Sequence, residues 1–226
     1  MIKKSLQKLL LILIVIGAGL FFFYNSGEHS IIGSDSNGYV TKDIYSHYGG
    51  GQNKIAIITG MHPREDLSKT IIPSALKFYA LVNNVEIVNY HVTVTNNPTD
   101  FSESRSNGES LVAQYAIPDI QKSNYGLVVI THDHEKGYGN GYYIATPTMD
   151  SKSVNLAEAV HALLPDFNYY KRNAEKRAQS SSIVKVDNPI AQSGTPVFVY
   201  EIPEWHSNIE AFLNSYRLID SSFKVL

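Results

Sequence analysis

Three short apolar runs constrain this chain more than anything else in it: Lys54-Ile55-Ala56-Ile57-Ile58-Thr59, Gly126-Leu127-Val128-Val129-Ile130-Thr131 and Pro196-Val197-Phe198-Val199-Tyr200. Each has the length and β-branched content of a strand buried on both faces, where apolar residues follow one another without alternation. The pattern predicts strands at 55–60, 85–94, 127–131, 142–145 and 197–200. It predicts helices within 67–82, at about 109–121 and 150–164, and at the C-terminus. Strands alternating with helices imply βαβ units, so the expected class is α/β with a mixed, mostly parallel sheet flanked by helices. Pro73 makes the second element begin near it or kink there. Ile209, Phe212, Leu213, Tyr216 and Ile219 share one stripe, which predicts the core face of the last helix.

Each run leads into a residue that can do chemistry. The first passes through Gly60 into Met61-His62-Pro63-Arg64-Glu65, the second ends at His132 and the third at Glu201. In a parallel sheet the carboxyl ends of the strands open onto a common crevice. His62 and Glu65 would face apart on a regular strand, and they converge only if the chain turns sharply after Gly60, which a glycine permits. A histidine and a carboxylate supply two of the three protein ligands of an open catalytic zinc site, and His132 is the natural third. Spacing alone also fits His62 as a hydrogen-bonded loop histidine. His134 rivals His132, since both would share a face if the strand continued, whereas Asp133 and Gly137 point to a loop there. Asp133 and Glu135 read as supporting or solvated groups. Glu201 is an acid closing a buried strand, which is costly without a task or a partner. It suits a general base taking a proton from a metal-activated water, or else a strand-end ion pair. Glu204 is better placed to cap the final helix.

Composition narrows the chemistry. With 43% hydrophobic and 18% charged residues over 226 positions, the chain is globular, and a net charge of −2 gives no reason to expect nucleic acid. The absence of cysteine excludes disulfides and thiolate ligands, so a metal here must be held by histidine and carboxylate.

Residues 1–24 stand apart. Lys3, Lys4 and Lys8 precede an uncharged run of 16 residues from Leu9 to Tyr24, expected to be a membrane anchor or signal segment with the rest of the chain outside the cytoplasm. No Ala-x-Ala site follows it, which favours an uncleaved anchor. Residues 25–37, rich in Ser, Gly and Asn, read as a linker, and 38–226 as the domain.

Gly60-Met61-His62-Pro63-Arg64-Glu65 resembles the Gly-x-His-x-Arg-Glu zinc motif of the metallocarboxypeptidases, and the chain order is similar to that of their succinylglutamate desuccinylase and aspartoacylase relatives. Ile130-Thr131-His132 resembles the strand end carrying the family's distal zinc histidine. Tyr143-Ile144-Ala145-Thr146-Pro147 resembles the following strand of the desuccinylase branch, and Val199-Tyr200-Glu201 the strand with the catalytic glutamate. The likeness spans roughly residues 50 to 205. It implies a zinc-carboxypeptidase-like fold with Zn2+ held by His62, Glu65 and His132, Glu201 as general base, and Arg64 as an electrophile beside the scissile carbonyl. Arg105 lies where these families grip substrate, and a guanidinium there can hold a carboxylate. The chain departs from the pattern in lacking the Asn-Arg pair that clamps a terminal carboxylate, and it is shorter than either branch.

The expectation is therefore a membrane-tethered, extracytoplasmic zinc hydrolase cleaving an amide bond in a peptide or N-acyl amino acid, with cell-envelope peptides favoured by location alone. Two other readings stand beside it. His62-Pro63-Arg64-Glu65 superficially resembles the His-Pro-Asp-Asp motif of zinc de-N-acetylases, with Arg64 in place of the base. A non-catalytic metal- or ligand-binding surface domain is the other.

Overall fold

The predicted strands assemble into one sheet in the computed structural model, which describes residues 2–25, 27–46, 51, 53–173 and 180–226. Its strands are β1 (Glu28–Asp35), β2 (Gly38–Tyr45), β3 (Lys54–Thr59), β4 (Glu86–Val94), β5 (Leu127–His134), β6 (Tyr143–Thr146), β7 (Asn168–Lys171) and β8 (Val197–Pro203). Their spatial order is β1-β2-β4-β3-β5-β8-β6-β7. β4, β3, β5 and β8 run parallel and form the centre. β2 joins β4 antiparallel and carries β1 outside it, while β6 joins β8 antiparallel and carries β7. The class is the expected mixed, mostly parallel α/β.

The centre is apolar on both faces because helices cover both. Ile55 and Ile57 of β3 point into a core with α3 (Ile72–Val82), α6 (Ser151–Leu163) and α8 (Asn208–Val225). Ala56 and Ile58, one residue out of phase, point into a second core with α4 (Phe101–Leu111), α5 (Ile117–Gln121) and α7 (Asn188–Gln192). Pro73 sits in the first turn of α3, where its missing N–H costs nothing. Two π-helical turns, Val112–Ala116 and Ile183–Asp187, each precede a short helix with proline in its first turn, Pro118 in α5 and Pro189 in α7. A proline clashes with the carbonyl four residues back, and widening that turn relieves the clash without ending the helix.

Four expectations are corrected. The stretch read as a linker over 25–37 contributes β1, which pairs antiparallel with β2 from Glu28 to Asp35; Ser26 lies outside the described residues. The helix expected from about 109 begins at Phe101, capped by Asp100, whose carboxylate accepts from Glu103 N at 2.7 Å. On α8, Ile219 is buried but Ile209 and Leu213 are 72% and 55% exposed, and the buried face is built on Ala211, Ser215, Leu218 and Ser222. Short side chains let this helix pack closely against α3 and α6. Its cap is Ser207 with Glu210 in a reciprocal pair, not Glu204.

The N-terminal segment forms α1 (Ile2–Asn25), with side chains such as Leu11 and Phe21 more than half exposed. Among the described residues no helix is long and apolar enough to cross a membrane. The transmembrane segment expected over 1–24 is thus unsupported. Its uncharged run of 16 residues covers about 24 Å as helix, short of a hydrocarbon core of about 30 Å.

Candidate metal centre

The turn foreseen after β3 is present and tight. Gly60 has φ +71°, and a Cβ there would sit 2.6 Å from the Val92 carbonyl oxygen, so both conformation and space demand glycine. Glu65 N then donates to His62 O at 3.0 Å, closing a turn with Pro63 in its second position. This turn brings His62 Nδ1 within 2.7 Å of Glu65 Oε1. His132, near the end of β5, places its Nδ1 2.8 Å from Glu65 Oε2. The two imidazoles stack with centroids 4.5 Å apart. One donor atom from each of the three residues lies within 4.8 Å of the others, and all three residues are buried.

Burial pushes the Glu65 carboxyl up, but His132 and His62 outweigh it and hold it at about 2. Burial pulls His132 down, and Glu65 more than offsets this, raising it to about 9. A carboxylate kept ionised between two imidazoles suits a cation at their centre, and a donor set of two histidines and one glutamate, without sulfur, matches a catalytic zinc site. The residues fit the metal.

The surrounding polar groups hold this arrangement in place. β5 continues past Thr131, so Asp133 points away from His132 and accepts from Leu67 N at 2.7 Å and Ser68 N at 2.8 Å. That ties α2 (Asp66–Thr70), and Glu65 just ahead of it, to β5. Burial pushes Asp133 up to about 7, with these two amides pulling the other way. Ser68 Oγ donates to Thr131 O at 3.0 Å, and Thr131 Oγ1 donates to Ile58 O at 2.9 Å. His134 shares the strand face of His132 but does not join the cluster: its Nε2 lies 3.0 Å from Gly141 O and its ring packs edge-on against Trp205. Glu135 is exposed at the cleft rim.

A cleft of about 910 Å³ opens above the three residues, and Glu201, Arg64 and Arg105 also line it. Glu201 is in register with His132 across the β5–β8 pair. Burial pushes its carboxyl up to about 7, His132 pulling it down and Glu65 pushing it up. Arg105 Nη1 is 3.4 Å from Glu65 Oε1. Arg64 is exposed, and it and Arg105 each lie 5.5 Å from the ring of Phe101. The structure therefore gathers all six predicted residues around one cleft, with Arg105 closer to Glu65 than its reading as a substrate grip required.

Two buried carboxyls, one behind His62 and one in the cleft lining, were not foreseen. Glu109 on α4 is fully buried, with Oε1 accepting from Ser181 Oγ at 2.7 Å and lying 3.7 Å from His62 Nε2. Asp187 is 1% exposed and lines the cleft. The signal for Glu109 was the Asp100-x-x-Glu103 start of its helix, hidden because α4 has few apolar residues to mark a period.

No protein-family model matches the sequence, and no curated protein matches it. Solved structures do match. A metallo-carboxypeptidase from Burkholderia cenocepacia superposes on 92% of this chain with a TM-score of 0.61 at 12% identity. The fold is that of the metallo-carboxypeptidases. One from Pseudomonas aeruginosa, in complex with (2-guanidinoethylmercapto)succinic acid, covers 87% with a TM-score of 0.59 at 13% identity. The Cell Shape Determinant protein Csd4 from Helicobacter pylori, in a tripeptide-bound structure, covers 88% with a TM-score of 0.55 at 10% identity. The chain spans 67%, 63% and 55% of the lengths of these three carboxypeptidase-fold proteins. In this fold the His62, Glu65 and His132 cluster stands at the carboxyl ends of the central strands, where α/β sheets place their ligands. The matched fold, and not that placement, favours the carboxypeptidase resemblance over the de-N-acetylase one.

Proposed function

We propose that this chain is a zinc-dependent hydrolase that cleaves an amide bond in a peptide or N-acyl amino acid. The observation that carries the reading is the convergence of His62, Glu65 and His132 in a metallo-carboxypeptidase fold, with Glu201 in register beside His132. His62 Nδ1, Glu65 and His132 Nδ1 are the groups that would hold the zinc. When bound, the metal polarises the scissile carbonyl and makes water acidic enough to react near neutral pH.

The chain's own residues do the rest. Glu201, pushed up to about 7 by burial, is poised to take a proton at its carboxylate and return it to the leaving amine. Arg64 and Arg105, on one side of the cleft, orient the substrate through its carboxylate or carbonyl oxygen. Membrane attachment through the uncharged run from Leu9 to Tyr24 belongs to the same proposal, and with the domain held on the outer side it would bring the chain to cell-envelope peptides. The tripeptide in the Csd4 structure supports peptide as the substrate class.

The test is to load the purified chain with zinc and screen it against cell-wall peptides and N-acyl amino acids. Release of new amine that chelation abolishes is expected. A chain that binds zinc yet hydrolyses none of these would contradict the hydrolase reading and leave a metal-binding surface domain.

A further inference from the structure

At the carboxyl end of the sheet β4 outruns its neighbour. β3 stops at Thr59, in register with His91, because Gly60 turns the chain, while β4 continues to Val94 and is paired there with β2. Thr95 N donates to Asn37 O on the β2 side at 2.8 Å, so by alternation the N–H and C=O of Val94 turn to the side that β3 has left. Neither has a partner there among the described residues. An open strand edge of this kind is a template for another extended chain.

A second cavity, of about 730 Å³, opens on this stretch, and Arg64 is the one described residue that lines both it and the metal cleft. Val92, Val94 and Pro98 give the cavity an apolar side, and Arg64, Lys69 and Asp66 give it charge. Arg64 rests against the ring of Phe101, a contact that uses none of its five N–H donors. Lys69 Nζ donates to Pro63 O at 2.8 Å and pairs with Asp66 Oδ1 at 2.7 Å, which leaves a third N–H. The Asp66 side chain is 79% exposed, so its hold on Lys69 is weak enough for an incoming anion to compete. Two cations against one carboxylate leave the cavity positive.

We infer that this cavity is a remote substrate site, which takes an extended peptide along the open edge of β4 and reads an acidic side chain in it through Arg64 and Lys69. The main chain of such a segment satisfies Val94 as an added strand does, and the acid supplies the charge that the cavity lacks. A small free anion would meet the cations and leave the backbone edge unpaired. The inference rests on the proposed hydrolase and names the class of its substrate, an acidic peptide long enough to pass Arg64 from the metal cleft.

The experiment uses alanine hexapeptides carrying one Glu, moved residue by residue along the peptide, each with its Gln counterpart. Hydrolysis by the zinc-loaded full chain gives kcat and KM, and calorimetric titration of the Glu201→Gln chain gives Kd where turnover is suppressed. At one position Glu is expected to bind about ten-fold more tightly than Gln, in Kd and KM alike and with kcat unchanged, since the contact is made equally before and during the reaction. Thr99→Glu sets a carboxylate at the exposed rim of the cavity and is expected to abolish this preference while the Gln peptides bind as to wild type. Lys69→Ala is expected to reduce the preference several-fold; because Lys69 also holds the Pro63 carbonyl, Thr99→Glu is the variant free of a structural role. Hydrolysis with no position at which Glu outbinds Gln, or with a preference that Thr99→Glu leaves intact, would overturn the inference and leave the hydrolase reading standing. An acid preference that Thr99→Glu removes, on a chain that cleaves none of the peptides, would uphold the site and overturn the hydrolase reading. A chain that neither binds nor cleaves them would overturn both.

Discussion

Gly108→Ala sets two effects of opposite sign against each other at the back of the metal centre. Gly108 lies inside α4, and by helix propensity alone alanine there would stabilise the chain by about 1 kcal/mol. The geometry argues otherwise. A Cβ at Gly108 would stand 1.7 Å from the Met61 carbonyl oxygen and 2.9 Å from its carbon. Ordinary contact requires a separation of on the order of 1.5 Å more, and the obstacle is backbone on both sides, so no side chain can rotate away. Overpacking costs about 1–3 kcal/mol, and a clash of this kind belongs at or above the upper end. A net destabilisation of about 2 kcal/mol follows, lowering the unfolding temperature by roughly 4–8 °C for a chain of this size. Because Met61 precedes His62, the same displacement should loosen the centre, and zinc affinity should fall about ten-fold or more. Thermal unfolding with chelator present measures the first effect, and chelator competition the second. An alanine variant as stable as wild type, or more stable, would refute the reasoning and show that α4 has room to move.

Glu201→Gln is expected to keep zinc and substrate binding while turnover falls about 10²- to 10⁴-fold, measured as single-turnover hydrolysis; normal turnover would remove Glu201 from the proton-transfer role. Burial, against an opposing pull from His132, pushes Asp187 up from its ordinary 3.8 to about 7. The folded chain therefore binds the proton more tightly than the unfolded chain, so this group's contribution is full below pH about 4 and is lost as pH rises toward 7, by up to about 4 kcal/mol. Asp187→Asn does not titrate, so its stability relative to wild type should increase from pH 4 to pH 8 in denaturant unfolding with chelator. A difference independent of pH would contradict the burial argument.

The sheet and the ligand turn were legible because they rest on local signals. Apolar runs at 55–60, 127–131 and 197–200 have no other use than a sheet covered on both faces, and Gly60 announced the turn that its positive φ confirms. The convergence of His132 on Glu65 was readable from the strand end, although the strand continues to His134 where Gly137 had suggested a loop. What escaped the sequence depends on partners far along the chain. β1 is mostly exposed and polar, and it is a strand because β2 offers it hydrogen bonds, not because its own pattern demands one. The buried face of α8 is written largely in Ala and Ser, which carry little apolar signal, beside Leu218 and Ile219, while Ile209 and Leu213 face outward. Glu109 escaped for the same reason: its helix has a weak apolar period, and its place behind His62 exists only once α4 is laid against the turn that bears that histidine.

The central claim is that three residues from two strand ends form one metal centre, and metal stoichiometry tests it most directly. Purified wild-type chain and its His132→Ala and His134→Ala variants would be loaded with zinc, desalted and analysed for metal by mass spectrometry. One equivalent in the wild type, none in His132→Ala and one in His134→Ala is the predicted result, since an open three-ligand site does not survive loss of a ligand while His134 is engaged with Gly141 and Trp205. Zinc retained by His132→Ala and lost from His134→Ala would contradict the account.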